Sequence, residues 1–423
     1  MAETYSTVDS VTNESLLQVY DRGLFESQER SKPRFWNEMK SVPNSKPGGL
    51  GLFFRVGGGS GHGQGAPSET GEYATPHTRQ EVKCSVQSAQ LDSVVEFSSK
   101  FRSASEGQGS FSGDAEDDLV AEAMEGLLTW ADILMGAGFA TGKLAEVEDN
   151  VSADNVVTCA LNEGVYQLRE NQPIDFVDGS NVVQAQSVIL SIDYGLQQIT
   201  LEDNVTVTAG WGIYQRDTAG QDFPNGLRNI VDDGSLAATL YGKSRTTYPY
   251  LSATVIDHGL QDYSEESVDK LLTRITYGQE LIPTQLRSNM GIILEHKSRM
   301  QSDRTFVQNS NTPPDYNAGT NFENLAYVYG TNKIPWKHDR NLPARQLYAL
   351  YMPSFGRNVL REPDWFGPNG QKFQQKPAPG GETWSYTFIG SLMMDITIRS
   401  TKPKANGLLT NIKDRVSAAV EDA

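Results

Sequence analysis

At 423 residues, with 38% hydrophobic and 9% aromatic side chains, the chain can fill two or three compact domains and is too rich in core formers to be disordered. Its 36 basic and 53 acidic residues leave a formal net charge of −17, which argues against wrapping nucleic acid, because each neutralised phosphate needs a cation. Two cysteines, Cys84 and Cys159, exclude a disulfide scaffold; with no signal-like start and no run of roughly 18 apolar residues, a soluble protein made in a reducing cytosol is expected.

Residues 1–47 are polar and broken by Pro33, Pro43 and Pro47, with one apolar patch at Leu16, Leu17, Val19 and Tyr20. They read as an arm that is ordered only against something else. A short strand, Leu50 to Val56, then leads into a glycine-rich tip. The segment that follows alternates at Val82, Cys84 and Val86 and shifts phase to Leu91, Val94, Val95 and Phe97, as one long bulged strand would. The pair reads as an extended hairpin. Some twenty residues of strand reach about 65 Å, more than the chain's own domain would cover, so packing on a neighbouring copy is expected.

Asp114 to Gly136 is a long helix: Leu119, Val120, Ala123, Met124, Leu127, Leu128, Ala131, Leu134 and Met135 form one broad apolar stripe. Asp114, Glu116, Asp117 and Asp118 suit its N-terminus, and Gly136 with Gly138 supplies the stop. It spans about 33 Å.

From Asn155 to Arg216 the pattern is β throughout, with alternation at Val188, Leu190 and Ile192, at Ile199 and Leu201, and at Val205 and Val207. Asp178-Gly179 and Tyr194-Gly195 mark turns, and a small β-sandwich or barrel is expected. Further on, Val268, Leu271, Leu272, Ile275 and Ile282 share a helical face, with Ser264 as N-cap and Pro283 as the stop. The stretch NMGIILEHKSRM fits strand or helix, with strand favoured for Met290 to Leu294; Thr312 to Arg345 reads as surface loops, and RQLYALYM, TWSYTFIGSLMMDITIRS and a charged tail complete the chain.

No catalytic constellation emerges. His62, His77, His258, His296 and His338 are scattered without metal-ligand spacing and read as loop or surface residues. Gly57 to Gly65 lacks the Lys-Ser/Thr of a phosphate loop and reads as a flexible tip; Gly242-Lys243-Ser244 lacks the leading glycine, since Ala237 stands there. Gly136, Gly138 and Gly142 follow a helix, the wrong context for a dinucleotide, and read as a tight turn. The acidic runs Glu146 to Asp149 and Asp232-Asp233 lack calcium-loop spacing and read as solvated surface. Trp211, Trp336, Trp365 and Trp384 read as core or interface anchors. No catalytic, cofactor-binding or metal-binding residue is assigned, no cofactor is expected, and the chain is not read as an enzyme.

The order arm, hairpin, spine helix, β-rich section, helix-containing domain and strand return resembles the major capsid proteins of tailed bacteriophages, whose fold is shared with the herpesvirus capsid floor. LMGAGFATGKLAEV resembles their glycine-rich turn after the spine, GVYQLRENQPIDFVDG with LSIDYGLQQITLEDNVTVTAGWGIY their β insertion, and GLRNIVDDGS with YGKSRTTYP the loop into their central domain. The likeness covers roughly residues 48 to 412.

The resemblance implies an α+β fold with an N-terminal arm (1–47), an extended β-hairpin loop (48–102) and a peripheral domain with the spine helix (103–143). It further implies a β-rich insertion (144–224), an axial domain (225–345), return strands completing the axial and peripheral domains (346–412) and a tail (413–423). It implies a virion protein, assembled in the host cytoplasm, whose partners are copies of itself: hexameric and pentameric capsomers joined through arm and loop, in an icosahedral head enclosing double-stranded DNA. Scaffold, portal and decoration proteins are further possible partners; no membrane and no sequence-specific DNA binding are implied. A tail or decoration component, or a β-sandwich carbohydrate-active enzyme with two opposed carboxylates, are the competing readings.

Overall fold

A computed structural model describes residues 35, 38–42, 51–57, 81–101, 115–138, 141–160, 165–221, 223–304, 326–366, 372–377 and 384–413. Most of the expected arm, the hairpin tip with His62 and His77, and residues 312–325 lie outside the described residues. The chain divides into two compact units: 1–38, 88–132 and 358–396 form the first, and 39–87, 133–357 and 397–423 the second.

In chain order, β1 (Gly51–Gly57) and β2 (Glu81–Gln87) are followed by β3 (Ala89–Ser98), helix α1 (Ala115–Ala137), β4 (Lys143–Glu146) and β5 (Val151–Thr158). Then come β6 (Pro173–Val177), β7 (Val183–Asp193), β8 (Gln198–Val207), β9 (Gly212–Gln215), β10 (Thr254–Asp262), α2 (Glu265–Gln279), β11 (Gln285–Ser288) and α3 (Met290–Arg304). The chain continues with β12 (Ala326–Tyr329), β13 (Asn332–His338), β14 (Leu347–Leu350), β15 (Phe355–Phe366), β16 (Gln374–Pro377), β17 (Trp384–Ser400) and β18 (Gly407–Lys413).

In the first unit β17 pairs with β3, antiparallel, Phe97 opposite Phe388 and Leu91 opposite Met394. β15 and β16 join the same sheet. Val95, Phe97 and Phe101 form a core with Ala123 of α1, and Leu119, Trp365, Phe373 and Phe388 pack against it. Gly390 is required there: a Cβ would come within 2.6 Å of the Phe373 ring. The expected helix is present, and Ala123, Leu127, Ala131, Leu134 and Met135 of its stripe are buried, whereas Met124 is exposed.

The expected single bulged strand is two strands. β2 pairs along its whole length with β1, and after Ser88 the chain continues as β3, paired with β17. The phase shift marks this change of partner: Val82, Cys84 and Val86 are buried on one side of it, Leu91, Val95 and Phe97 on the other, and Val94 points outward.

In the second unit, β4-β9-β6-β7-β8-β5 form one six-stranded sheet. Its two end strands are themselves linked: Val147 bridges Cys159, Glu148 N–H donates to the Thr158 carbonyl (2.9 Å), and Ala160 N–H donates to that of Glu146 (2.8 Å). Of the two expected forms, the sheet is therefore a barrel, closed on itself through that bridge. Both expected turns are present, each held by an aspartate: Asp178 accepts from Ser180 and Val182 N–H, Asp193 from Gly195 and Leu196 N–H. Ile199, Leu201, Val205 and Val207 are buried as their alternation suggests, but Leu190 is exposed and Ile189 buried, because the β7–β8 register shifts between Ile189 and Ser191.

A second six-stranded sheet, β10-β18-β14-β11-β13-β12, carries α2 and α3. Val268, Leu271, Leu272 and Ile275 of α2 and Ile292 and Ile293 of α3 share a core with Leu286, Trp336, Leu347 and Leu409; full burial of each such aliphatic side chain contributes about 1.5–3 kcal/mol. Ser264 caps α2 by accepting from Ser267 N–H, as expected, but the helix ends at Glu280 in the left-handed conformation (φ 56°), before Pro283 is reached.

Met290 to Leu294, expected as strand, starts α3. The overlooked signal is Asn289, whose side chain accepts from Gly291 N–H (3.3 Å), followed by buried Ile292, Ile293 and His296 at helical spacing. The expected surface loop also fails over its described part: β12 and β13 are strands, and Leu342, Ala344 and Arg345 are buried. Its Asn, Pro and Gly content masked the period-2 burial of Ile334 and Trp336.

Candidate functional site

The hairpin of β1 and β2 has two unlike faces. Phe54, Val56, Val82, Cys84 and Val86 are buried, and the Phe54 ring meets Tyr241 edge-on at 5.0 Å while Arg399 lies over it at 5.1 Å. The Tyr241 hydroxyl accepts from Ser400 N–H at 2.7 Å, so the anchor of the hairpin is itself tied down. The base of the hairpin thus packs on its own chain, contrary to the expectation that its own domain leaves it uncovered. On the outer face Phe53 is 61% exposed, with Lys83 Nζ 4.2 Å from its ring centre. An exposed aromatic on a two-stranded ribbon is a feature that contact with another chain would cover.

Other large apolar side chains stand out of both units. Val94, Phe366 and Tyr386 do so in the first, with a groove of about 280 Å3 between β3 and α1 lined by Val94, Val95, Leu119 and Ala123. In the second, Tyr277, Val328 and Leu260 are exposed on α2, on the edge strand β12 and on the opposite edge strand β10.

The glycine turn after α1 is as tight as its spacing suggests. Gly142 has φ +75° and faces the Phe223 ring, and Gly226 sits against the carbonyls of Gly138 and Leu134. Further along, Tyr241 and Gly242, both at positive φ, turn the short hairpin ending in Lys243 and Ser244, a structural role for that Gly-Lys-Ser.

Two polar knots correct the sequence reading. Asp232, expected as solvated surface, is fully buried; its carboxylate accepts from Gly234 and Ala237 N–H, both at 3.0 Å. Arg245 donates to the Asp232 and Leu251 carbonyls (2.6 Å each), to that of Ala237 (2.9 Å) and to that of Asn229. This one guanidinium ties GLRNIVDDGS to YGKSRTTYP. Arg287 and Asp339 form a second buried pair at 2.6 Å.

His296, expected at the surface, lies in the core 3.1 Å from the Tyr263 hydroxyl and 5.0 Å from the Trp336 ring, and burial pushes it down to about 4. His258 and His338 are half-buried. Cys84 and Cys159 are free and buried, and burial raises their thiols to about 11 and about 12, which makes them inert. Trp336 is a core residue, Trp211 and Trp365 are half-buried, and the Trp384 side chain lies outside the described residues. Among the described residues no group of three or more His, Cys, Asp or Glu is placed to hold a metal ion.

The topology, a spine helix packed on a sheet that its preceding and C-terminal strands share, a β-barrel, and a mixed sheet bearing two helices, is the α+β fold of tailed-phage capsid proteins. A chain of the cyanophage A-1(L) capsid asymmetric unit is similar with a TM-score of 0.55 at 12% identity, covering 94% of this chain and 97% of that one. The capsid chain of a native GTA particle, at 10% identity, gives 0.48 over 97% of this chain and all of that one. No family model matches the sequence, and no curated protein does. The likeness is one of fold.

Proposed function

We propose that this chain is a major capsid protein that assembles into hexamers and pentamers and forms an icosahedral head around phage double-stranded DNA. The observation that carries the reading is the likeness to the cyanophage capsid chain over nearly the whole of both chains. The exposed Phe53 on the hairpin supports it, because assembly gives that surface something to cover it.

In this reading the spine helix with β3 and β15 to β17 is the peripheral domain, and the sheet bearing α2 and α3 is the axial domain at the capsomer axis. The arm and the hairpin reach neighbouring subunits, and the barrel is an insertion between the two domains. The mechanism is assembly and not turnover: individually modest contacts, closed into a shell, become collectively stable. The protein resides in the virion and is assembled in the host cytoplasm. Its net charge of −17 suits a container that holds DNA without gripping it. Negative-stain imaging of the purified chain tests the reading: closed shells or capsomers support it, whereas tubes or a monomer with hydrolytic activity support its competitors.

A further inference from the structure

Among the described residues, two arginines of the second unit stand near each other without an ion-pair partner. Arg169 follows β5 in the barrel, and Arg340 follows β13 of the mixed sheet. Arg169 is half-buried: its Nη1 donates to the Tyr166 and Leu168 carbonyls (3.0 and 3.1 Å) and its Nη2 to Asn341 Oδ1 (3.1 Å). Arg340 is exposed and donates from Nη2 to the Tyr194 hydroxyl at 3.1 Å. Tyr194 in turn stacks on the ring of Tyr166, the residue whose carbonyl holds Arg169, with ring centres 5.8 Å apart.

Among the described residues, neither arginine forms an ion pair in a chain that carries 17 more acidic than basic groups. Burial and then the charge of Arg340 lower Arg169, offset in part by Tyr194. Like charges held together, one of them partly desolvated, are unfavourable unless an anion joins them. The partners that fix Arg169 are all neutral, two carbonyls and an amide, so they position the group without spending its charge. The planar fork of a guanidinium suits an oxyanion with two or more equivalent oxygens.

We propose that Arg169 and Arg340, framed by Tyr194 and Asn341, form a binding site for a phosphate-class oxyanion. The anion completes the charge balance where the barrel meets the loop after β13 and so stiffens that junction. Its source is free phosphate or a phosphate of a nucleic-acid backbone.

The test uses the purified full chain and its Arg340→Gln variant, which alters the exposed partner and leaves the carbonyl-anchored Arg169 in place. Thermal unfolding and calorimetric titration are run with sodium phosphate against sodium chloride at equal ionic strength. Phosphate should raise the midpoint of the parent chain beyond chloride, and R340Q should bind it roughly tenfold more weakly. Arg340→Lys should recover part of the affinity. A single-stranded oligonucleotide that displaces phosphate assigns the site to backbone phosphates, and one that does not assigns it to the free ion. Equal effects of phosphate and chloride on the parent chain, or undiminished phosphate binding by R340Q, overturn the proposal.

Discussion

Gly226 stands directly against the carbonyl oxygen of Gly138, so that a Cβ at 226 would overlap that oxygen and lie 2.6 Å from the carbonyl of Leu134. The last turn of the spine helix is thus seated on a residue whose value is having no side chain; its own backbone (φ −99°, ψ 174°) is open to any amino acid. Gly226→Ala should destabilise the chain by about 3 kcal/mol, an overpacking cost against rigid backbone. Chemical denaturation measures it, and a change below about 0.5 kcal/mol would show that the helix end has room to move.

The Arg287–Asp339 pair is 1% and 5% exposed, so removing one partner strands a charge. Asp339→Ala should cost about 3–5 kcal/mol, and the double replacement Arg287→Met with Asp339→Ala less than the sum of the two single changes. A double-mutant cycle by denaturation reads the coupling directly; strict additivity would mean that the two groups do not depend on each other.

His296 predicts a pH dependence. Its folded-state value is about 4, below the ordinary value of about 6.5, so between those limits the unfolded chain binds a proton that the folded chain does not. Its contribution is therefore fully present above pH ~6.5 and is lost as the pH falls toward ~4, on the order of 3 kcal/mol over the whole window. Stability measured at pH 7 and pH 5 should fall by about 2 kcal/mol more in the parent chain than in His296→Phe. Equal slopes would show that His296 is not held neutral. Glu265, 3.6 Å from Nδ1 and more than half exposed, is the carboxylate that a protonated ring would meet.

What was legible in the sequence follows from physics. The spine helix and α2 announce themselves because an amphipathic period over four turns or more is read from side chains alone, and the Asp178 and Asp193 turns because their chemistry is local. The division at Ser88 was visible as a phase shift, but its meaning depended on strands three hundred residues away. The same holds for α3, where the run Met290 to Leu294 suits strand and helix equally until Asn289 caps it, and for Asp232, whose carboxylate accepts from the N–H groups of its own loop while Arg245 binds its carbonyl. The anchoring of the hairpin by Tyr241 and Ser400 leaves no sequence signal, since it joins residues that no motif connects.

The hairpin carries the prediction for assembly. Deleting Gly57 to Gly71 at its tip should leave a soluble monomer that assembles poorly, and Phe53→Glu on its outer face should do the same while the buried face of Phe54 and Val56 keeps the fold. Sedimentation of the two variants beside the parent chain checks both. Normal assembly by both would contradict the role given to this ribbon.

The central claim, that many copies of this chain build a closed container, is tested most directly by imaging the purified full-length protein in negative stain. Closed isometric shells, or the pentameric and hexameric rings from which they form, are the predicted result. Dispersed monomers under every condition of salt and protein concentration, or open tubes, would contradict it.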